Sequence, residues 1–209
     1  SINIVEKWVS AEDKEETADV TIVIYILEGL KTGVEYTLRE TVAPDGYTVT
    51  AETTFKIDET GKVTTTASVS SDGTLLVEDA MTEVKVSKVD IADGEELEGA
   101  TIQIIDKDGK TVEEWVSKKD DEKTEDVNEA VHIVKGLKTG EEYTLKETVA
   151  PEGYTVTTET TFTIDESGKV TSTGTVTEDG VMLVEDAKTK ISVSKVDIAD
   201  GKELEGAHI

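Results

Sequence analysis

The chain has 209 residues, with 47 Asp and Glu against 21 Lys and Arg, for a formal charge of -26. Such a surplus repels nucleic-acid phosphates and anionic membranes, so it excludes those partners and reads as a solvated surface. Hydrophobic residues make up 36% and aromatics only 4%, which allows lean cores of Val, Ile, Leu and Thr, and the lack of cysteine removes disulfides as a source of strength.

Sliding the sequence by 107 positions aligns its halves without a gap: Trp8 meets Trp115, Glu40 meets Glu147, Asp79 meets Asp186 and Lys88 meets Lys195. Long internal repetition of this kind marks an array of domains. Thr-rich alternating runs such as TVTTETTFTID (155–165) lie between turn signals such as DGK (108–110), ESGK (166–169) and EDG (178–180). That punctuation predicts short antiparallel strands, and helical periodicity is absent. The fold class is therefore all-β, with tandem β-sandwich domains.

In chain order, the opening SINIVEKWVS lacks the basic and apolar regions of a signal peptide, and no stretch anywhere reaches the length of a membrane span. In YTLRETVAPDGYTV (36–49), alternation places Tyr36, Leu38 and Glu40 on one face, which aims a carboxylate at the core. In TLLVEDA (74–80), Leu75, Val77 and Asp79 share a face, although Leu76 makes this strand apolar on both sides. VKVSKVD (84–90) puts Val84, Val86 and Lys88 together, opposite Lys85 and Ser87. The second copy repeats the pattern with Glu147 in YTLKETVAPEGYTV (143–156) and with Met182, Val184 and Asp186, where Leu183 blurs the parity as Leu76 does. KISVSKVD (190–197) then presents Ile191, Val193 and Lys195 on one face.

The unit boundaries follow from these strands. One complete domain is expected at 85–189. Residues 1–84 form a domain lacking its first strand, and residues 190–209 form a first strand with nothing after it. Each complete domain thus brings a Lys, a Glu and an Asp into its core. Three charges in a dry interior cost several kcal/mol each, so they either pair as a buried salt bridge with a spare acid or react. Burial lowers an amine pKa and raises a carboxyl pKa, so neutral Lys can attack protonated Asp while a protonated Glu polarises the carbonyl and relays protons.

SKVDIADGEELEGA, EYTLKETVAPEGYTVT and LVEDA together resemble the CnaB-type repeat, the collagen-adhesin B-region or SpaA-like domain of Gram-positive surface proteins and pili. The resemblance covers nearly the whole chain. It implies a transthyretin-like, Ig-like β-sandwich whose first and last strands are joined by a spontaneous isopeptide bond. It places the lysine at Lys88 and Lys195, the catalytic glutamate at Glu40 and Glu147, and the acceptor at Asp79 and Asp186. With Asp as acceptor, water is the product. Lys88 and Asp186 would link within one domain, and Lys195 would reach Asp79 across the divided one. The tail of one molecule would then complete the head of the next by strand complementation and build a covalent filament; the alternative is that the sequence is a slice of a longer array.

The expected function is a structural repeat of an extracellular, cell-surface or cell-wall-associated fibre, pilus or adhesin stalk, without multiple-turnover enzymatic activity. The alternative is an adhesin module that binds a host protein or glycan. No cofactor is expected, and no metal: His132 and His208 read as packed or surface residues, and DKDG (106–109) as a hairpin turn, since position 12 of a calcium loop would be Ser117. Trp8 and Trp115, in matching EKWVS and EEWVS strands, suggest core or inter-sheet packing more than a ligand platform. The sequence assigns no role to Glu78 or Glu185 beside the acceptors.

Overall fold

The computed structural model describes residues 4–10, 24–121 and 128–209. Residues 1–3 of the opening stretch, and residues 11–23 and 122–127 of the domains expected at 1–84 and 85–189, lie outside the described residues. All regular structure among the described residues is strand, in two compact units: one of Ser1–Thr41 and Thr50–Glu78, the other of Val42–Val49 and Asp79–Ile209.

The first unit holds β1 (Glu35–Leu38), β2 (Thr53–Ile57) and β3 (Val63–Thr65) in one antiparallel sheet, and β4 (Ser68–Val69) with β5 (Leu75–Leu76) in a two-stranded ribbon. Tyr36 lies opposite Phe55, with ring centroids 5.4 Å apart, and Phe55 is the one large apolar side chain buried among the described residues of this unit. The thinness of its core follows from the shortage of strands to cover that face.

In the second unit, β6 (Glu83–Asp90), β7 (Thr101–Ile105), β8 (Thr111–Val116), β9 (Val131–Lys135), β10 (Glu142–Val149), β11 (Thr160–Ile164), β12 (Val170–Ser172) and β13 (Val181–Asp186) form a sandwich. One sheet has the order β12-β11-β10-β7-β8 and the other β13-β6-β9. Val84, Val86 and Val184 of the smaller sheet pack against Ile102, Ile104, Leu145 and Phe162 of the larger, as alternation requires of two sheets sharing a core. The all-β sandwich expectation is met.

The sequence pattern did not foresee the parallel pairing of β6 and β13, which sets Lys88 opposite Val184 and Asp90 opposite Asp186. It makes the first and last strands of the sandwich immediate neighbours. β10 is twice the length of its counterpart β1, because it is bonded on both edges, to β11 and β7, whereas among the described residues β1 pairs with β2 alone.

The turn at DKDG is a hairpin, as expected: Asp106 Oδ1 accepts the N–H groups of Asp108 and Lys110, and Gly109 has φ 79°. Edge strands β8 and β9 belong to different sheets, and Trp115 on one stacks on His132 of the other at 4.2 Å, with His132 Nε2 3.1 Å from Glu113 Oε1. This ring pair closes one open seam of the sandwich. Trp115→Ala should therefore lower stability by about 2 to 3 kcal/mol, less than a fully buried Trp, with the urea midpoint as the measurement.

Candidate functional site

Lys88, Glu147 and Asp186 meet inside the second unit, and each side chain is fully buried. Lys88 and Asp186 come from the paired strands β6 and β13, and Glu147 comes from β10 in the facing sheet. The Lys88 amine is in direct contact with Asp186 Oδ1, lies 3.3 Å from Glu147 Oε1, and donates to the Val184 carbonyl at 3.2 Å. That carbonyl belongs to the residue opposite Lys88 in the parallel ladder, so pairing itself steers the amine toward Asp186 two positions along.

Glu147 is held at its other oxygen, where the Thr157 N–H donates to Oε2 at 2.8 Å. Its Oε1 faces the amine, and among the described residues neither it nor the Asp186 oxygens have a hydrogen-bond partner outside the trio. Burial raises the Glu147 pKa above the usual carboxylate value, against the lowering effects of the Thr157 N–H and the Lys88 charge; the Asp186 carboxyl beside it raises it further. Burial thus favours the protonated form, and Oε1, with Oε2 taken by the Thr157 N–H, is the oxygen placed to carry the proton. The arrangement thus brings an amine, a carboxyl and a second, buried acid together without solvent.

The remaining predicted residues are Glu40, Asp79 and Lys195. Glu40 is partly buried and its Oε2 accepts the Thr50 N–H at 2.9 Å, the same clamp at the same offset as Glu147 and Thr157. Asp79 is partly buried, and among the described residues its Oδ1 has no hydrogen-bond partner. Lys195 is exposed, and Ile191 and Val193 are 87% and 69% exposed where their counterparts Val84 and Val86 are 0% and 1%. Parity put Lys195 on an apolar face, but among the described residues 190–209 have no β13-like or β9-like neighbour to bury that face.

Sequence reasoning missed the backbone groups of Thr157 and Val184, which leave no side-chain signature; the only trace was the Thr at the same offset in both copies. It also missed a second Lys–Asp pair. Lys188 Nζ lies 3.0 Å from Asp90 Oδ2, and the Tyr154 hydroxyl donates to the same oxygen at 3.0 Å. Here the Ala92 N–H, then Lys188, hold the Asp90 pKa below the usual range, so this acid is ionised and unsuited to condensation. Trypsin should therefore still cut after Lys188, a cleavage that an amide at that amine would block. Glu185 points away from the trio and accepts from Thr175 Oγ1 at 2.6 Å, Glu78 is exposed, and so is His208.

The sequence profile of the SpaA prealbumin-like fold domain matches residues 4–71 and 82–178, well over half of the chain. The chain belongs to this family. The CnaB-type, SpaA-like resemblance read from the repeats is thereby established, and with it the prealbumin-like sandwich. Among solved structures, this SpaA-like chain is similar to the Bacillus anthracis TIE protein (25% identity, TM-score 0.41, covering 80% of this chain and 28% of that one). It is also similar to the shaft pilin SpaA of Lactobacillus rhamnosus GG (20%, TM-score 0.38, 76% and 66%). A third is a C-terminal fragment of the pilus adhesin SpaC from the same organism (17%, TM-score 0.43, 78% and 79%). The chain thus spans little more than a quarter of the length of the first of these. A search of curated proteins finds no match. Among the described residues, no helix is long and apolar enough to cross a membrane, which says nothing of β-barrels.

Proposed function

We propose that this SpaA-like chain is a structural repeat of an extracellular fibre, pilus or adhesin stalk on a Gram-positive surface, locked by an isopeptide bond between Lys88 and Asp186. The observation that carries the reading is the fully buried trio joining the first and last strands of one sandwich. In the reaction, Glu147 transfers protons so that the amine is neutral and the Asp186 carboxyl is protonated. Lys88 Nζ then attacks Asp186 Cγ, a C–N bond forms, a C–O bond breaks and the hydroxyl leaves as water. One ammonium and one carboxylate become one amide and one water, with Glu147 returned to its starting state. The side chains are consumed, so each site reacts once and no turnover follows.

The mechanical consequence comes from topology. Tension entering at β6 and leaving at β13 passes through the new amide and bypasses the ladders between Lys88 and Asp186. Single-molecule pulling should show no lengthening from this sandwich in the wild type. Glu147→Gln should release the residues between the two anchors, on the order of 300 Å of chain. Equal lengthening in both would overturn the reading.

The repeat extends the proposal to a second copy. Residues 190–209 of one chain, with Lys195, would supply the first strand for residues 1–84 of another, and Lys195 would bond Asp79 with Glu40 in the relay role. Support comes from the sequence match to β6 and from the bare apolar side chains of Ile191 and Val193. A denaturing gel should then show a ladder that Lys195→Ala abolishes; a single band for the wild type would rule out the covalent filament while leaving the Lys88–Asp186 link intact.

A further inference from the structure

Residues 42–49 are the loop VAPDGYTV of the first repeat, and they pack as part of the second unit. The contact is dense. Thr82, with no exposed surface, donates its N–H to the Gly46 carbonyl at 2.9 Å and its hydroxyl to the Leu137 carbonyl at 2.5 Å, while its own carbonyl accepts the Gly136 N–H at 3.1 Å. The Val49 N–H reaches the Glu166 carbonyl at 2.9 Å, and Lys138 Nζ pairs with Asp45 Oδ2 at 2.7 Å. Gly46 sits so close that a Cβ there would lie 2.7 Å from the Gly136 oxygen, and its φ of +83° also favours glycine.

Both halves of this joint occur a second time in the chain, and there they are bare. The matching loop, 149–156, has the same internal geometry: the Thr189 N–H and hydroxyl donate to the Gly153 carbonyl at 2.8 and 3.1 Å, as those of Thr82 do to Gly46. Yet Gly153 and Thr189 are exposed where Gly46 and Thr82 are buried. The matching seat is Gly29–Leu30–Lys31 with the turn at Glu59–Gly61, counterparts of Gly136–Leu137–Lys138 and Glu166–Gly168. It too is already shaped. The Lys31 N–H donates to the Tyr36 hydroxyl at 2.9 Å as Lys138 does to Tyr143 at 3.0 Å, and Gly29 has φ +73° against +78° for Gly136. Lys31, Glu59 and Gly61 are exposed.

We infer that the 149–156 loop and Thr189 of one chain dock on the Gly29–Lys31 and Glu59–Gly61 seat of a second copy, with Glu152 pairing to Lys31 as Asp45 pairs to Lys138. The partner is set by complementarity: Glu152 at the loop tip matches Lys31 of the seat, and both halves repeat an interface the chain already forms. The contact deepens the head-to-tail reading and rests on it for the direction of assembly, but it requires no covalent bond. It would also explain how two copies of a chain with charge -26 approach each other, since the opposed charges at the joint are local and the general repulsion is screened.

Sedimentation velocity in about 0.15 M salt tests it, because distant charges are then largely screened while the joint is not. Wild type should associate in a concentration-dependent way. Glu152→Lys and Lys31→Glu should each weaken association about fivefold, and the double variant should recover most of the loss. Single variants that match the wild type, a double variant no better than the singles, or no association at any concentration would overturn the joint. Lys195→Ala separates this contact from the covalent filament. Association that keeps its charge-pair dependence without a denaturing ladder supports the joint, whereas a ladder indifferent to Glu152 and Lys31 sinks the joint alone.

Discussion

Glu147→Ala is expected to leave the second sandwich folded, unlinked and far less stable. Its apolar core does not depend on this side chain, since Val84, Ile102, Leu145, Phe162 and Val184 pack without it. What disappears is the proton relay between the Lys88 amine and the Asp186 carboxyl. Without the amide, the unfolded chain regains the freedom of a closed loop running from Lys88 to Asp186. If the chain-entropy estimate for disulfides carries over, that loop is worth about 4 to 5 kcal/mol. For a domain of this size the melting temperature should fall by about 20 °C or more. Glu147→Gln separates shape from chemistry: the amide fills the same space and can accept the Thr157 N–H, but it cannot relay the proton. It should melt with the Ala variant, and a Gln variant as stable as wild type would refute the relay.

Lys88→Met should be more damaging still, and in a pH-dependent way. It removes the nucleophile, so the link is lost, and it leaves Glu147 and Asp186 facing each other with no cation between them. Removing one partner of a buried ion pair typically costs about 3 to 5 kcal/mol, in addition to the lost link. The pH dependence follows from Glu147. Its pKa is raised in the folded protein by burial and by Asp186, and Lys88 is one of the groups restraining that rise. A carboxyl with a raised folded-state pKa keeps its proton longer when folded than when unfolded. Its contribution is least unfavourable below its ordinary value of 4.5 and worsens as pH climbs from there through the raised value. The Lys88→Met sandwich should therefore gain urea resistance on acidification toward pH 4.5. Adding Glu147→Gln should remove that gain, and a single variant whose stability stays flat or falls on the same acidification would contradict the assignment. Asp90 and Asp165, whose pKa values are lowered, act in the opposite sense and are common to both variants, so the difference between them isolates Glu147.

Much of this was legible in the sequence because a strand obeys a period of two. Alternation put Tyr143, Leu145 and Glu147 on one face, and β10 buries those three. It did the same for Val84, Val86 and Lys88, and even for Met182, Val184 and Asp186 despite Leu183. Parity reports a face and never a neighbour. The parallel match of β6 to β13, the register shift between Glu147 and Val149, and the Thr157 clamp are long-range or backbone properties, so nothing in a local pattern encodes them. Lys195 shows the same limit from the other side. Its pattern matches that of Lys88, yet burial belongs to the partners a strand finds, and within one chain Lys195 stays exposed. The docking of the 42–49 loop was equally hidden, because Pro44, Gly46 and Tyr47 announce a turn without saying what it rests on.

The most direct measurement is the intact mass of the wild-type chain under fully denaturing conditions, followed by tryptic mapping. Condensation at the buried trio gives a single-chain species one water below the mass of the sequence and a branched peptide joining Lys88 to Asp186. A mass equal to that of the sequence, with Lys88 and Asp186 recovered on separate peptides from folded protein, would contradict it.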